Sequence, residues 1–294
     1  MSLERIGNIG IQLPSTPAGV PTTHAHYVEF ATPGSHTALI PITVDKIWIT
    51  ACGGGGNGAG TVGVGVSDNM GYSGSGGGLC YRKEYTPVGT VVGSNYSIPI
   101  TVGNGGIHGG VNPSSVPPTS TIIGSLVTLG CGASIPNPIF STTIAGGVPG
   151  GGKVGSAESN TYSGPGIDLD TRTIVGMPGS GPIFISVSEG NIFSGMGHTS
   201  SFGGGGGSLG GGGGASMGYG SSQATSRMQG VGGTSILGPA FSGTNGSNTA
   251  GSPTTPVVIG GDGKFGGGGG AAASGSTSTT QGKGGDGYVL IEWD

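Results

Sequence analysis

Glycine arrives in long clumps in this chain, and that one habit restricts its fold more than any motif does. Tracts at 53–78, 103–110, 146–166, 203–220 and 230–287 alternate with short β-like runs. Glycine is 73 of 294 residues, with no strict three-residue spacing of the collagen kind. Read as ordinary loops, the tracts would give several unstructured segments longer than about 15 residues, which compact domains rarely hold. The alternative is packing of polyproline-II helices. Without a Cβ, extended backbones can approach closely and exchange N–H···O=C bonds with their neighbours. Glycine costs roughly 0.5–1 kcal/mol relative to alanine inside regular structure, so only dense inter-tract bonding could offset it.

The runs between the tracts read as strands. In 47–51, Ile47, Ile49 and Ala51 share a face; in 96–102, Tyr96, Ile98, Ile100 and Val102 do. The runs 27–31, 122–129, 182–187, 256–259 and 288–293 are similar. No window of ten residues shows capped helical periodicity, so helix should be nearly absent. The expected fold is all-β, a sandwich carrying polyglycine layers. Residues 24–294 form that domain. Residues 1–23, with Pro14, Pro17 and Pro21, form an extended segment that docks onto another chain.

Charge excludes several partners. Nine Lys and Arg, thinly spread, cannot build the footprint of a phosphate-backbone binder, so nucleic acid is not expected. No apolar run reaches the roughly 18–20 residues of a membrane span. The first residues lack the basic and apolar regions of a secretory signal. Cys52, Cys80 and Cys131 have no C-x-x-C spacing and read as small packed thiols.

Catalytic patterns fail on context. Gly58–Gly63 fits G-x-G-x-x-G, a match that chance supplies about four times in so glycine-rich a chain, and no helix follows it. The G-x-S-x-G at 206–210 lies inside a glycine tract instead of a strand-to-helix turn. Asp168 and Asp170 would share a face of a strand, and read as a solvated loop edge before they read as a glycosidase pair. No enzyme is expected.

Binding residues are better represented. His24 and His26 would point the same way along an extended segment. Three such pairs on a trimer axis would offer six imidazoles to Fe, Ni or Zn, whereas in a single chain they are surface histidines. Tyr72, Tyr162, Phe193, Phe202, Tyr219, Phe241 and Phe265 punctuate the tracts and together form the candidate receptor platform. Within it, 193–219 stands out, with Phe193, Met196, His198, Phe202, Leu209, Met217 and Tyr219 set among glycines. Side chains that large have no room inside a glycine layer and must lie on its outer face or in its turns.

The order of these motifs carries a resemblance. Lys46–Cys52 runs into Gly53–Gly56; Gly76–Tyr81 and Tyr96–Gly106 follow; Ser200–Gly203 and Gly284–Trp293 close the series. This resembles the glycine-rich domain at the ends of bacteriophage tail fibres and in related virion proteins, over about residues 27–294, with 111–195 departing from the pattern as an insertion. It is also similar to the glycine-rich ectodomain of anaplastic lymphoma kinase, a jelly-roll sandwich with inserted polyproline-II helices. The resemblance implies a non-enzymatic virion component, assembled in the host cytoplasm, that binds a host surface glycan or outer-membrane protein. It would be a homotrimer or capping subunit whose N-terminal segment meets other fibre proteins. The alternative is a structural capsid-decoration or filament subunit without receptor binding.

Overall fold

The structure is a computed structural model. It describes residues 19–60, 71–72, 74–107, 116–132, 166–168, 173–176, 205–214, 216–218, 227–229, 231–249, 257–274 and 279–294. The strands of its sandwich, in chain order, are β1 (His26–Phe30), β2 (Gly34–Pro41), β3 (Ile47–Cys52), β4 (Leu79–Tyr85), β5 (Thr90–Val92), β6 (Asn95–Val102), β7 (Thr121–Ile123), β8 (Val127–Leu129) and β9 (Tyr288–Trp293). The first sheet has the order β1-β9-β3-β4, and the second β8-β7-β6-β2 with β5 also on β6. Every pairing in both is antiparallel. Among the described residues the only helical element is the 3-10 turn Pro239–Phe241, and no helix is long and apolar enough to cross a membrane.

Alternation decides what lies between the sheets. Ile47, Ile49 and Ala51 of β3 meet Ile98, Ile100 and Val102 of β6, with Ala38, Ile40, Ile123, Val289 and Ile291 completing the core. β9 is buried on both faces: Val289 and Ile291 face this core, and Tyr288 and Leu290 face a second one. That explains its uninterrupted apolar run Tyr288–Ile291. The expected run 122–129 is a hairpin, broken by a turn in which Gly124 takes φ +47°. The run 182–187 lies outside the described residues.

The glycine tracts form a hydrogen-bonded lattice with a three-residue register. Gly53 and Gly56 donate to Gly78 and Ser75, while Gly55 and Gly58 donate to Gly285 and Gly282. Gly282 and Gly285 in turn donate to Gly270 and Gly267, and Gly284 and Gly287 to Gly106 and Gly103. Donors three apart on one tract reach acceptors three apart on the next, which is the repeat of a polyproline-II helix. Almost every residue of 53–58, 74–78, 205–214 and 266–270 is buried. The lattice is a body with an interior, built of backbone.

Candidate functional site

The direction of the tracts sorts their connections into two groups. Tract 53–58 leaves β3 and 281–287 enters β9, and their bonds run antiparallel. Tract 267–270 is antiparallel to 281–287, so it leads away from the sandwich. By the same bonding, 205–207, 231–233 and 260–263 return toward the sandwich and 211–214 and 243–246 leave it. Each connection is therefore near the sandwich or far from it.

The near connections carry large apolar residues. Leu209 in the turn 208–210, Leu237 and Phe241 in 234–242, and Phe265 in 264–266 close over the outer face of the first sheet, against Cys52, Leu79, Tyr288 and Leu290. Phe265 stacks between Phe241 (5.0 Å) and Tyr288 (4.5 Å). Ser208 Oγ donates to the Gly77 carbonyl at 2.8 Å, fixing the first turn to a neighbouring tract. These turns bolt the lattice to the sandwich.

The far connections differ. Ser216–Gly218 pairs with Arg227–Gln229 and runs parallel to Ala272–Ser274; Ser247–Thr249 pairs with Val257–Ile259, which runs parallel to Thr279–Thr280. Ala59–Gly60 pairs with Gly71–Tyr72 and packs beside Ala272–Ser274. Links 61–70, 219–226, 250–256 and 275–278 thus all spring from one contiguous base at the far end. They hold one Asp and no Glu, Lys or Arg, and are rich in Ser, Thr and Gly. Their own conformations lie outside the described residues.

At several tract N–H groups a side-chain oxygen, in place of a backbone carbonyl, accepts the hydrogen bond. Asp286 Oδ1 accepts from Gly105 N–H (2.8 Å), Asn245 Oδ1 from Gly232 N–H (2.9 Å) and Asp262 Oδ1 from Lys283 N–H (2.8 Å). Thr121 Oγ1 accepts from Gly103 N–H (3.0 Å) and donates to the Cys52 carbonyl (2.7 Å). Asn245 and Asp262 make these bonds at the exposed surface of the lattice, and Thr121 makes its pair inside it.

At the opposite end of the sandwich the N-terminal strap crosses the first sheet. Val20 is buried in the second core, so the described end of the expected docking segment packs on its own chain. Thr23 N–H and hydroxyl donate to Oε1 of the buried Glu292 at 2.5 and 3.3 Å, while Glu292 Oε2 has no hydrogen-bond partner. The His24 ring stacks on Trp48 at 3.8 Å, and its Nδ1 lies 3.0 Å from Asp294 Oδ2.

The expected sites are redistributed by this geometry. Leu209, read as a receptor contact, is 0% exposed, because its turn is a near one. Phe241 and Phe265 belong to the second core for the same reason. Met217 lies in the far base, and Tyr162, Phe193, Met196, His198, Phe202 and Tyr219 lie outside the described residues. His24 and His26 do not point the same way. A bend at residues 24–25 precedes β1, so His24 meets Trp48 on the outer face, whereas His26 stacks on Trp293, which packs against the inner core. Three such chains would not present six imidazoles from an extended pair. Among the described residues no three His, Cys, Asp or Glu stand together as metal ligands. Cys52 and Cys80 are core residues, and burial pushes the Cys52 thiol well above its ordinary value, which makes it a poor nucleophile.

Asp294 supplies a pH test of the strap. Its carboxyl is held below the ordinary value by the His24 hydrogen bond first and the Ala25 N–H second. A depressed folded pKa gives stability that is present above the unfolded value and lost as pH falls toward the folded one. Asp294→Asn should slightly lower the melting temperature near neutrality and remove that part of the decline below about pH 4. Wild-type and variant curves that stay parallel through that window would contradict the clasp.

An antiparallel sandwich bolted to a glycine lattice defines a class of architecture in which backbone, not side chains, fills the interior of the lattice. A family model described as a glycine-rich domain matches residues 31–294, and the chain belongs to that family. No curated protein matches the chain.

Proposed function

We propose that the protein is a non-enzymatic virion component, a tail-fibre or receptor-binding module that turns the far end of its lattice toward the host surface. The observation that carries this reading is the opposition of the two ends. Apolar turns anchor the tracts to the sandwich, and the short strands that flank the Ser/Thr/Gly-rich links, which hold a single Asp, form a contiguous base at the other end. Links on a rigid base can vary without disturbing the scaffold, which suits recognition of differing receptors. Their near lack of charge suits a neutral glycan or an outer-membrane loop, with binding that changes little with salt. A purely structural filament grown by adding tracts to the lattice edge is less well supported, since Asp262, Asn245 and Asp286 already cap backbone donors there.

The test replaces links 219–226 and 250–256 with Gly-Ser segments of equal length and measures adsorption to host cells. Adsorption should be lost while the melting temperature holds. A folded variant that adsorbs like the wild type would remove the far end as the receptor site. Adsorption abolished by modest salt would point to the few charged side chains instead.

A further inference from the structure

Charge is divided unequally between the two sheets. The first bears Glu29, Arg82, Lys83, Glu84 and Glu292 on its strands, whereas β2, β5, β6, β7 and β8 contain no Asp, Glu, Lys or Arg. Alternation turns Thr37 and Leu39 of β2, Ser97, Pro99 and Thr101 of β6 and Ile122 of β7 outward. Leu39 is 54% exposed and Ile122 40%. Beside them lies an open groove of about 420 Å³, lined by Val88, Thr90, Pro99, Thr101, Ile122 and Ser125.

The groove has a cause in the pairing. β5 pairs with β6 at Asn95–Ser97 and β7 pairs with it at Ile100 and Thr101, so Ile98 and Pro99 have neither strand beside them. Proline has no N–H to offer a partner there, and its carbonyl is taken by Gly124 N–H at 2.8 Å. The sheet is notched on that side, and the notch is floored by proline and walled by valine, isoleucine and hydroxyls.

We infer that a second copy of this chain covers this face, with Leu39 of each copy entering the groove of the other about a two-fold axis near Ser97 and Pro99. A partner bearing charges would lose hydration against a surface with no counter-charge, while a second copy brings a surface as uncharged as its own. Knob and hole lie on one face, about 10 Å apart across the sheet and about 7 Å along it by strand geometry. One two-fold rotation therefore fills both grooves at once, the self-complementary arrangement of an isologous dimer. This inference does not depend on which end meets a host.

Light scattering and sedimentation of the full chain, from about 1 to about 100 μM, read the outcome. The wild type should reach twice its 28.1 kDa chain mass. Leu39→Asp, which places two unpaired carboxylates in the interface, should weaken the dimer about a hundredfold or more while the chain stays folded, with its melting temperature no longer dependent on protein concentration. Thr90→Lys, which puts a charge in the groove, should do the same from the other side. Val231→Ser, at a residue 62% exposed elsewhere, should leave the dimer intact. A monomer throughout, a trimer, or a dimer that survives both interface variants would overturn the inference.

Discussion

Valine in place of Gly205 or Gly212 destabilises the protein by about 3 kcal/mol or more each, at the upper end of overpacking costs, and lowers the melting temperature by about 6–12 °C. The cause is contact, not backbone conformation. A Cβ on Gly205 would overlap the carbonyl oxygen of Gly268, and one on Gly212 the carbonyl oxygen of Gly205. Those obstacles are main chain, so no rotamer change relieves them. Both oxygens belong to tracts held by bonds on several sides, as when Gly213 donates to Gly268 and Gly205 donates to Gly213. Neither Gly205 nor Gly212 has a positive φ, which within 203–287 is found among the described glycines at Gly238 (+115°) and Gly266 (+77°), so left-handed strain plays no part at the two test positions. Gly130 supplies the control. It lies at the lattice margin with nothing within 4 Å of where its Cβ would stand, and Gly130→Ala should change stability by less than about 0.5 kcal/mol. Several lattice variants that melt with the wild type would mean that the tracts do not pack as described.

The sandwich was legible wherever a strand shows one face to the core. The alternation in 47–51 and 96–102 predicts which residues lie between the sheets, and Ile47, Ile49, Ile98 and Ile100 lie there. β2 and β4 escaped for opposite reasons. β2 reads Gly-Ser-His-Thr-Ala-Leu-Ile-Pro, in which only Ala38 and Ile40 are fully buried while Leu39 points outward, so polarity does not mark its faces. β4 is an edge strand carrying Arg82, Lys83 and Glu84, and a bulge opposite Thr50 shifts its register and holds Arg82 at φ +50°. Edge charges and bulges protect such strands from pairing further, and they also erase the period-2 signal.

The site was half legible. Large side chains do stand in the turns of the lattice, as lack of room inside it requires. What composition alone leaves open is which end a turn occupies. The order of the tracts holds that information: after one outward tract the chain must return, so connections alternate between far and near. Leu209, then Leu237 and Phe241, then Phe265 fall at successive near turns, while Ser216–Gly218, Ser247–Thr249 and Thr279–Thr280 fall at the far ones. The alternation of apolar and Ser/Thr interruptions was the usable signal. The strap could not be read in the same way, because a bend at residues 24–25 parts His24 from His26 and no local pattern announces it.

Removing the bolts should free the lattice before it melts the sandwich. Leu209 is 0% exposed and Phe241 5%, so truncation to alanine leaves cavities; Leu209→Ala should cost about 2–5 kcal/mol and Phe241→Ala about 3–5 kcal/mol. The two share one core, so the double variant should cost less or more than their sum, not match it. The consequence is directional. Among the described residues, tracts 205–214, 231–233 and 243–246 meet the sandwich through these turns and the backbone bonds of the lattice, whereas β1–β9 keep a separate inner core of Ala38, Ile49, Ile100 and Ile291. Hydrogen exchange in Leu209→Ala should therefore rise first at the amides of Gly205, Gly211 and Gly233 while those of β6 stay protected. Ile236→Ala, at a residue 46% exposed in the same turn, should change stability by less than about 0.5 kcal/mol. Uniform loss of protection across lattice and sandwich would mean that the two bodies fold as one unit and that the second core is not a joint. Loss confined to the lattice, with the sheets intact, would locate the joint at the stacked rings of Phe241, Phe265 and Tyr288.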